Sequence, residues 1–339
     1  MLKTKLAKYK EQLEKQKKTK KGSSIGLSVK KDGDAQIILV GMTNSGRSSL
    51  LSILTEAKVK IADYPFTTKK PTLGILDYEG VKLQIVEVPA LFQGINSSKT
   101  GPQILSVIRN ADAILLVIDL TRDVLEQMKI LLSELEESGI RINRKPPLVK
   151  IKKTGMGGIQ ILGLKFYDGQ KEDLIDLLHE NNIYNSVIRI EGETGLDEIR
   201  EALDESIVYK PALIVANKGD GESSAENYNK LESMYKTRFK IVPVSAVKII
   251  GFAGLKSNIF DILAIIRVYT KEIGGEVSDR PLILNKGMTV ADVAKKLHKR
   301  FLERFKYAKI FGSSAKFDGE RVGSDHVLKD KDIVQIFTD

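Results

Sequence analysis

A glycine-rich stretch, GMTNSGRS at residues 41–48, directly follows the apolar run QIILV at residues 36–40. Glycines at positions 41 and 46 allow backbone N–H groups to face an anion at the start of a helix, where the helix dipole also favours negative charge. The hydroxyl of Ser48 is placed to ligate magnesium. The spacing matches the G-x-x-x-x-G-K-[ST] phosphate-binding loop, except that Arg47 stands where lysine is usual. Taken alone, the stretch is also compatible with an ordinary glycine-rich turn entering a helix.

A second motif, NKGD at residues 217–220, closes the apolar run ALIVAN at residues 212–217. A carboxylate only accepts hydrogen bonds, so Asp220 matches the ring N–H and the amino group that guanine presents side by side. Adenine has no such donor pair and leaves the carboxylate unpaired. The motif therefore predicts a site that selects guanine over adenine.

A third motif, VPVSAV at residues 242–247, lies at the end of a further apolar run. Its residues Ser245, Ala246 and Val247 are expected to form a loop whose backbone N–H donates to the guanine carbonyl. All three motifs lie at strand ends and in the order that a guanine-nucleotide site requires. Their joint presence favours such a site over an accidental glycine-rich turn.

The elements that must position these motifs are buried strands alternating with helices. Helical stretches such as SSLLSILTEA and VLEQMKILLSELEES fall between some of the apolar runs, as a mostly parallel sheet covered on both faces requires. The sequence thus predicts an α/β fold with a doubly wound sheet. The candidate strands are residues 36–40, 82–88, 113–119, 212–217 and 240–246.

One connection is too long for this pattern. Asp119 and Asn217 lie 98 positions apart, whereas a strand-helix-strand crossover needs about 30 residues or somewhat more. The surplus predicts a small α/β domain inserted in the main one, at residues 141–205. We expect the main domain to resume at residues 206–278, and residues 279–339 to form a separate C-terminal domain.

Length and composition fit a globular protein of two or three domains, with 339 residues, 42% of them apolar and 29% charged. The absence of cysteine excludes disulfides and thiolate metal sites. No apolar run approaches the roughly eighteen residues that cross a bilayer, and no secretory signal is visible. We therefore expect a cytoplasmic protein without membrane contact.

The net charge of +10 is concentrated at the N-terminus, where residues 1–21 carry nine lysines and two glutamates. Four apolar residues recur there at helical spacing, so residues 1–34 are expected to form a basic helical arm. The first part of the main domain is expected to follow at residues 35–140. One interpretation is an RNA-binding arm, because lysines release counterions when they meet phosphates. The alternative is a solvated helix that packs on its own protein.

Two further stretches lead to a known family. DYPFTTKKPTLG at residues 63–74 and VEVPALFQG at residues 86–94 resemble the first and second switch motifs of Obg-family GTPases. SGIRINRKPP at residues 138–147, with the following GMGGI, resembles the insert of the developmentally regulated GTP-binding (DRG) branch. The C-terminal RVGSDHVLKDKDIVQIFTD resembles a TGS domain, and the whole similarity covers about residues 36–339.

The resemblance implies a P-loop GTPase fold with an inserted α/β domain and a C-terminal, ubiquitin-like β-grasp domain, in an archaeal member of the branch. It also implies hydrolysis of GTP to GDP with magnesium, and a role in translation or at the ribosome. RNA and a protein partner of the TGS domain are the further expected ligands. Two alternatives stay open: a nucleotide-binding adaptor without useful GTP turnover, and an RNA-binding protein whose nucleotide domain is only structural.

The same resemblance assigns roles to single residues. Thr68 corresponds to the switch threonine that ligates magnesium and senses the γ-phosphate, and Thr67 is the less favoured neighbour. Leu91 takes the position at which Ras-like proteins carry a water-orienting glutamine. Asn44 matches the asparagine that helps to hold a potassium ion beside the phosphates in potassium-stimulated GTPases, unless it only satisfies N–H groups within its own loop.

Three positions around the β- and γ-phosphates depart from the family pattern: Arg47 replaces lysine, Glu87 replaces the second-switch aspartate, and Ala90 replaces glycine. Arginine is planar and forked, so it is no simple substitute for a compact ammonium. Glutamate moves the carboxylate by one methylene, which a magnesium shell at about 2.1 Å tolerates poorly without an intervening water. We therefore expect slow hydrolysis.

The expected site combines the three motifs with the two switches. Magnesium ligands are expected from Ser48, Thr68 and, through water, Glu87. The nucleotide-binding set is Gly41, Asn44, Ser45, Gly46, Arg47, Ser48, Ser49, Asn217, Lys218, Asp220, Ser245, Ala246 and Val247, and the switch set is Thr67, Thr68, Glu87, Ala90 and Leu91.

Overall fold

The computed structural model describes residues 29–55, 60–61 and 72–339. Most of the expected basic arm, and both switch threonines, Thr67 and Thr68, lie outside these described residues. No helix within the described ranges is long and apolar enough to cross a membrane.

Strands and helices alternate along the described chain. The strands are β1 (Ala35–Gly41), β2 (Lys60–Ile61), β3 (Thr72–Tyr78), β4 (Val81–Glu87), β5 (Ala113–Asp119), β6 (Ile140–Ile142), β7 (Val149–Lys153), β8 (Ile159–Leu162), β9 (Ser186–Ile190), β10 (Val208–Lys210), β11 (Ala212–Asn217), β12 (Ile241–Pro243), β13 (Ile265–Thr270), β14 (Leu282–Asn285), β15 (Phe305–Phe311), β16 (Glu320–Val322) and β17 (Asp332–Thr338). The helices are α1 (Arg47–Leu54), α2 (Gly101–Asn110), α3 (Val124–Glu137), α4 (Lys171–Glu180), α5 (Leu196–Leu203), α6 (Ser224–Tyr235), α7 (Phe252–Ile262), α8 (Val290–Leu297) and α9 (Lys299–Glu303).

The central sheet has seven strands in the order β12-β11-β5-β1-β4-β3-β2. The five strands from β12 to β4 pair in parallel, whereas β3 is antiparallel to both of its neighbours. Every residue of β1, β5 and β11 is buried, as expected for parallel strands with both faces covered. The predicted α/β fold with a mostly parallel, doubly wound sheet is confirmed.

Helices cover both faces of this sheet and form two separate cores. On one face, α2, α3 and α6 contribute side chains such as Ile108, Leu131 and Leu231. On the other face, α1 and α7 contribute side chains such as Leu50 and Ile259. The loops after β1, β4, β11 and β12 therefore meet at the carboxyl edge of the sheet, where open α/β sheets bind ligands.

The long connection between β5 and β11 contains a small unit with its own core. Its three-stranded sheet has the order β7-β9-β8, and Leu178 of α4 and Ile199 of α5 pack with Ile188 of β9. Strands β6 and β10 pair in parallel where the chain enters and leaves this unit. The two ends of the insert are thus held side by side against the main domain.

The C-terminal sheet has the order β14-β13-β17-β15-β16 and packs on α8. It includes β13, which pairs with β14 and, in parallel, with β17. The domain boundary predicted at residue 279 is therefore too late, because Ile265–Thr270 already belongs to this sheet. The pairing of β13 with the last strand joins distant parts of the chain, so the local pattern of residues could not indicate it.

A buried arginine joins the C-terminal sheet to the main domain. Arg267 of β13 bonds Asp330 through Nε at 3.0 Å and through Nη2 at 2.5 Å, and its Nη1 donates to Glu79 at the β3–β4 turn. Its guanidinium also lies 4.7 Å from the ring centroid of Phe260 in α7. Burial opposes ionisation of Asp330, but its bonds to Arg267 outweigh burial and hold its pKa below the ordinary value.

We expect Arg267→Met to lower the free energy of unfolding by about 2 kcal/mol at pH 7, because the partly buried Asp330 loses its charged hydrogen-bond partner. Since the pKa of Asp330 is depressed in the folded state, its contribution is present above pH ~4 and is lost as the pH falls through the folded pKa. Urea titrations should therefore show a smaller difference in unfolding free energy between the native protein and Arg267→Met at pH ~3 than at pH ~7. Lys306→Met, which removes the exposed ion pair with Asp339, should leave the free energy of unfolding nearly unchanged.

Candidate nucleotide-binding site

The glycine-rich loop connects β1 to α1 at the carboxyl edge of the sheet. Gly46, which precedes α1, has a φ of 92°, a conformation that glycine adopts without strain. A Cβ atom on Gly46 would lie 2.2 Å from Nδ2 of Asn217. The second motif therefore packs directly against the first, and this close approach requires glycine at position 46.

A cavity of about 580 Å³ opens beside this loop. Residues 43–49 and 87–90 line it, together with Thr72 and Lys218. The start of α1 faces the cavity, so the N–H groups of its first turn and the helix dipole favour an anion there. The phosphate loop and the second switch, which were predicted separately from the sequence, therefore line the same cavity.

Arg47 lies beneath the loop and is only 8% exposed. Its Nη1 donates to the carbonyl oxygens of Gly41 at 2.8 Å and Val88 at 3.2 Å. Burial lowers the pKa of Arg47 and the nearby charge of Glu87 opposes that shift, but a guanidinium stays protonated in proteins. The loop therefore accommodates arginine as a buried cation that bonds both the loop and the end of β4.

Ser48 and Glu87 meet at the edge of the cavity, where Oγ of Ser48 donates to Oε1 of Glu87 at 2.7 Å. A hydroxyl that gives its proton to a carboxylate keeps its lone pairs for a cation. Magnesium binds hard oxygen ligands and usually keeps several waters. The two side chains therefore fit a magnesium ion bound to Ser48, with Glu87 reached through water.

Leu91 of the second switch is fully buried, and its backbone N–H donates to the carbonyl of Gly41 at 3.1 Å. The side chain has no hydrogen-bonding group and points into the core with Val88 and Ile95. No side chain at position 91 is therefore available to orient an attacking water. Ala90 lines the cavity beside it.

The guanine motif is tied to the phosphate loop by Asn217, which is 1% exposed. Its Nδ2 donates to the carbonyl of Ser45 at 2.9 Å, and its Oδ1 accepts from the N–H of Ala246 at 3.4 Å. One amide thus connects all three sequence motifs. Asn217 positions the loops around the base rather than contacting solvent.

Asp220 accepts a hydrogen bond from Oγ of Ser245 at 2.6 Å. This bond is the main reason that the pKa of Asp220 lies below its ordinary value. The same Oγ accepts from the N–H of Lys248 at 3.1 Å, which fixes the hydroxyl. An ionised carboxylate with a free oxygen is the acceptor that the paired donors of guanine require.

Family models match the chain from end to end of this architecture. A model described as a 50S ribosome-binding GTPase matches residues 36–153, the C-terminal region of the same domain matches 156–265, and a TGS domain matches 266–338. An uncharacterized GTP-binding protein of Methanocaldococcus jannaschii is 39% identical over 99% of this chain and 85% of its own. Developmentally-regulated GTP-binding protein 1 of Xenopus laevis is 36% identical over 93% of this chain and 85% of its own.

The chain belongs to the developmentally regulated GTP-binding protein family. It therefore contains a GTPase domain and a TGS domain, as the resemblance of its motifs indicated. The human developmentally-regulated GTP-binding protein 2 is 32% identical over 99% of this chain and 92% of its own. A solved GTP binding protein from Pyrococcus horikoshii is 19% identical, covers 89% of this chain and 99% of its own, and has a TM-score of 0.48.

Among the residues expected to bind nucleotide in this family member, most come together at the cavity. Residues 43–49, Lys218, Glu87 and Ala90 line it. Asp220, Ser245 and Ala246 are joined through the guanine loops. Val247 is not among the residues that line the cavity, and its side chain is 82% exposed on the third loop. The positions of Thr67 and Thr68 lie outside the described residues.

Asp119, which was not among the site residues expected from the sequence, holds the guanine motif in this DRG-family chain. Asp119 is 1% exposed and accepts from Nζ of Lys218 at 2.6 Å and from Oγ1 of Thr121 at 2.7 Å. Burial raises its pKa, but the bonds from Lys218 and Thr121 outweigh burial and lower it. The available signal was a carboxylate that ends the buried run AILLVID at the ligand-binding edge of the sheet.

Proposed function

We propose that the protein is a cytoplasmic GTPase that acts in translation at the ribosome and hydrolyses GTP slowly on its own. The observation that carries the proposal is an intact guanine motif beside a cavity whose phosphate-facing residues are altered. Asp220 and Asn217 keep the arrangement that guanine requires, whereas Arg47, Glu87 and Ala90 differ from the family pattern. The description of the matching family model, a 50S ribosome-binding GTPase, supports the ribosome as the place of action.

Hydrolysis of GTP depends on charges placed closely around the transferring phosphoryl group. Arg47 supplies a positive charge, and its hydrogen bonds to two carbonyls fix that charge beneath the loop. Leu91 supplies no group to orient water, because it is apolar and buried. Magnesium, held by Ser48 and by Thr68 with Glu87 through water, would neutralise charge on the β- and γ-phosphates. The residues of the site thus favour tight binding of guanine nucleotides and slow hydrolysis of GTP.

A potassium ion would add positive charge beside the phosphates. Asn44 lines the cavity with a φ of 63°. The amide oxygen of an asparagine is a ligand type that a cation accepts. This favours the cation-binding interpretation of Asn44 over the alternative in which it satisfies its own loop.

A single-turnover assay with GTP tests the function. We expect measurable GDP formation in potassium, a rate about tenfold lower in sodium, and loss of that difference in Asn44→Ala, because one cation ligand would be removed. Addition of ribosomes should raise the rate further. Thr43→Ala is a control beside Asn44 in the same loop and should keep the potassium effect. Tight GDP binding with no GDP formation under any condition would favour the adaptor instead.

An RNA partner is supported by two neighbouring cations on the outer face of the C-terminal sheet. Lys309 and Arg321 are direct cross-strand neighbours on β15 and β16, and like charges in that position destabilise a sheet. The guanidinium of Arg321 lies 3.7 Å from the ring centroid of Tyr307, and Nζ of Lys309 lies 5.5 Å from that of Phe337. In the described part of the chain neither cation has a carboxylate partner, so an anionic ligand such as RNA phosphate fits this face.

We expect Lys309→Gln with Arg321→Gln to weaken ribosome binding and to flatten its salt dependence by about one unit of log slope per lost phosphate contact. Cosedimentation at several salt concentrations measures both quantities. Lys236→Gln, an exposed lysine at the end of α6, is the matched control and should leave the slope unchanged. If the basic arm also binds RNA, deletion of residues 1–21 should by itself flatten the salt dependence of ribosome binding. An unchanged salt dependence would favour the alternative interpretation, in which the arm is a solvated helix.

A further inference from the structure

Residues 88–91, here called the second-switch segment, are fastened to the phosphate loop at two points. The N–H of Leu91 donates to the carbonyl of Gly41 at 3.1 Å. The carbonyl of Val88 accepts from Nη1 of Arg47 at 3.2 Å, and the same Nη1 donates to Gly41 at 2.8 Å. Both fastenings therefore converge on Gly41 and Arg47.

The number of donors on arginine makes this arrangement compatible with phosphate binding. A guanidinium has five N–H groups, of which Nη1 carries two. Arg47 uses Nη1 for the carbonyls of Gly41 and Val88, which leaves Nη2 and Nε for phosphate oxygens. A lysine has three N–H groups. A lysine that bonds the carbonyl of Gly41 and two phosphate oxygens has no donor left for Val88.

The segment itself has little freedom to move away. Val88 is 1% exposed and Leu91 is fully buried, so displacement would bring both side chains out of the core. Pro89 has a fixed φ, and Ala90 lacks the backbone range of the glycine that the family pattern places there. Each of these features restrains the same four residues.

Glu87 adds a connection immediately before the segment. Its carboxylate accepts from Oγ of Ser48 at the start of α1. The longer side chain of glutamate thus reaches the helix that follows the phosphate loop. The two unusual residues of this site, Arg47 and Glu87, both join the end of β4 to the loop, in addition to any contact that they make with phosphate.

We propose that Arg47 is a positioning residue that holds the second-switch segment in one place whether GDP or GTP is bound. The proposal deepens the proposed function and rests on it only in requiring that guanine nucleotides bind. The segment then does not report the γ-phosphate, and the state of the nucleotide is read elsewhere on the protein. This regulation is specific to a chain with arginine at position 47, because lysine lacks the necessary donors.

Hydrogen exchange of the second-switch segment tests the proposal in the native protein without any substitution. With magnesium and either GDP or a non-hydrolysable GTP analogue, we expect the amide of Leu91 to be equally protected. In Arg47→Lys the amide should exchange about tenfold faster with the analogue than with GDP, because the γ-phosphate takes the lysine donor from which the carbonyl of Val88 could otherwise accept a hydrogen bond. Native protection that differs between the nucleotides as strongly as in Arg47→Lys would overturn the proposal.

A fluorescence measurement supplies an independent readout. The chain has no tryptophan, and Phe92, directly after the segment, is 47% exposed, so Phe92→Trp places one reporter there. We expect identical emission with GDP and the analogue in the native background, and a shift between them in Arg47→Lys. Equal spectra in both backgrounds would show that Arg47 is not what holds the segment.

Arg122→Lys is the matched control. Arg122 also donates to a carbonyl of the phosphate loop, that of Thr43 at 3.3 Å, but it does not bond the second-switch segment. We expect it to behave as the native protein in both measurements, and a nucleotide-dependent change there would overturn the role of Arg47. The analogue is not hydrolysed, so these outcomes are independent of turnover. A protein that fails to hydrolyse GTP would refute the proposed function and leave this result standing.

Discussion

Asp220→Asn should lower the affinity for GDP by about a hundredfold or more and raise the affinity for xanthosine diphosphate. Two hydrogen bonds from guanine to a charged acceptor are each worth about 1.5–3 kcal/mol, and an asparagine accepts only through Oδ1. Xanthine carries a carbonyl where guanine carries its amino group, so it needs the donor that asparagine supplies. Titration of both nucleotides with fluorescent analogues measures the change in preference.

The substitution should leave the local structure intact. Oδ1 of Asp220 accepts from Oγ of Ser245, and the amide oxygen of asparagine can accept the same bond. Glu222→Gln neutralises an exposed carboxylate in the same loop and should leave the guanine preference unchanged. Native protein that binds ATP as tightly as GTP would contradict the role of Asp220. So would an Asp220→Asn variant that still prefers GDP.

Restoring the family residues at all three altered positions should raise the single-turnover rate of GTP hydrolysis about tenfold or more. Arg47→Lys, Glu87→Asp and Ala90→Gly together return a compact ammonium, a shorter carboxylate and a flexible residue beside the γ-phosphate. Stabilisation of charge on the transferring phosphoryl group commonly changes rates by such factors. GDP affinity should change by less than about threefold, since GDP lacks the γ-phosphate and the guanine contacts of Asp220 are untouched.

The three single restorations are the controls for this triple variant. Glu87→Asp alone should lose the bond between Glu87 and Ser48 without freeing the second-switch segment, so we expect a smaller gain than in the triple variant. A native protein that already cleaves GTP as fast as the triple variant would show that arginine is an adequate substitute for lysine. A large loss of GDP affinity in the triple variant would instead place the altered residues in nucleotide binding.

The sequence by itself determined the fold class, the family and the choice of base. Each depends on patterns that are local in the chain. Gly41 and Gly46 bracket a loop between a strand and a helix, and Asp220 has a fixed hydrogen-bonding character wherever its backbone lies. Alternating buried strands and helices at the observed spacing leave few folds other than a doubly wound sheet.

Only the tertiary structure decided what Arg47 bonds, which residue holds Lys218, and where the C-terminal domain begins. Arg47 bonds Val88, 41 residues further along the chain. Lys218 bonds Asp119, 99 residues earlier. Strand β13 takes its place by pairing with β17 near the C-terminus. These contacts depend on which strands lie side by side, and strand order is fixed by packing over the whole domain rather than by the residues next to each position.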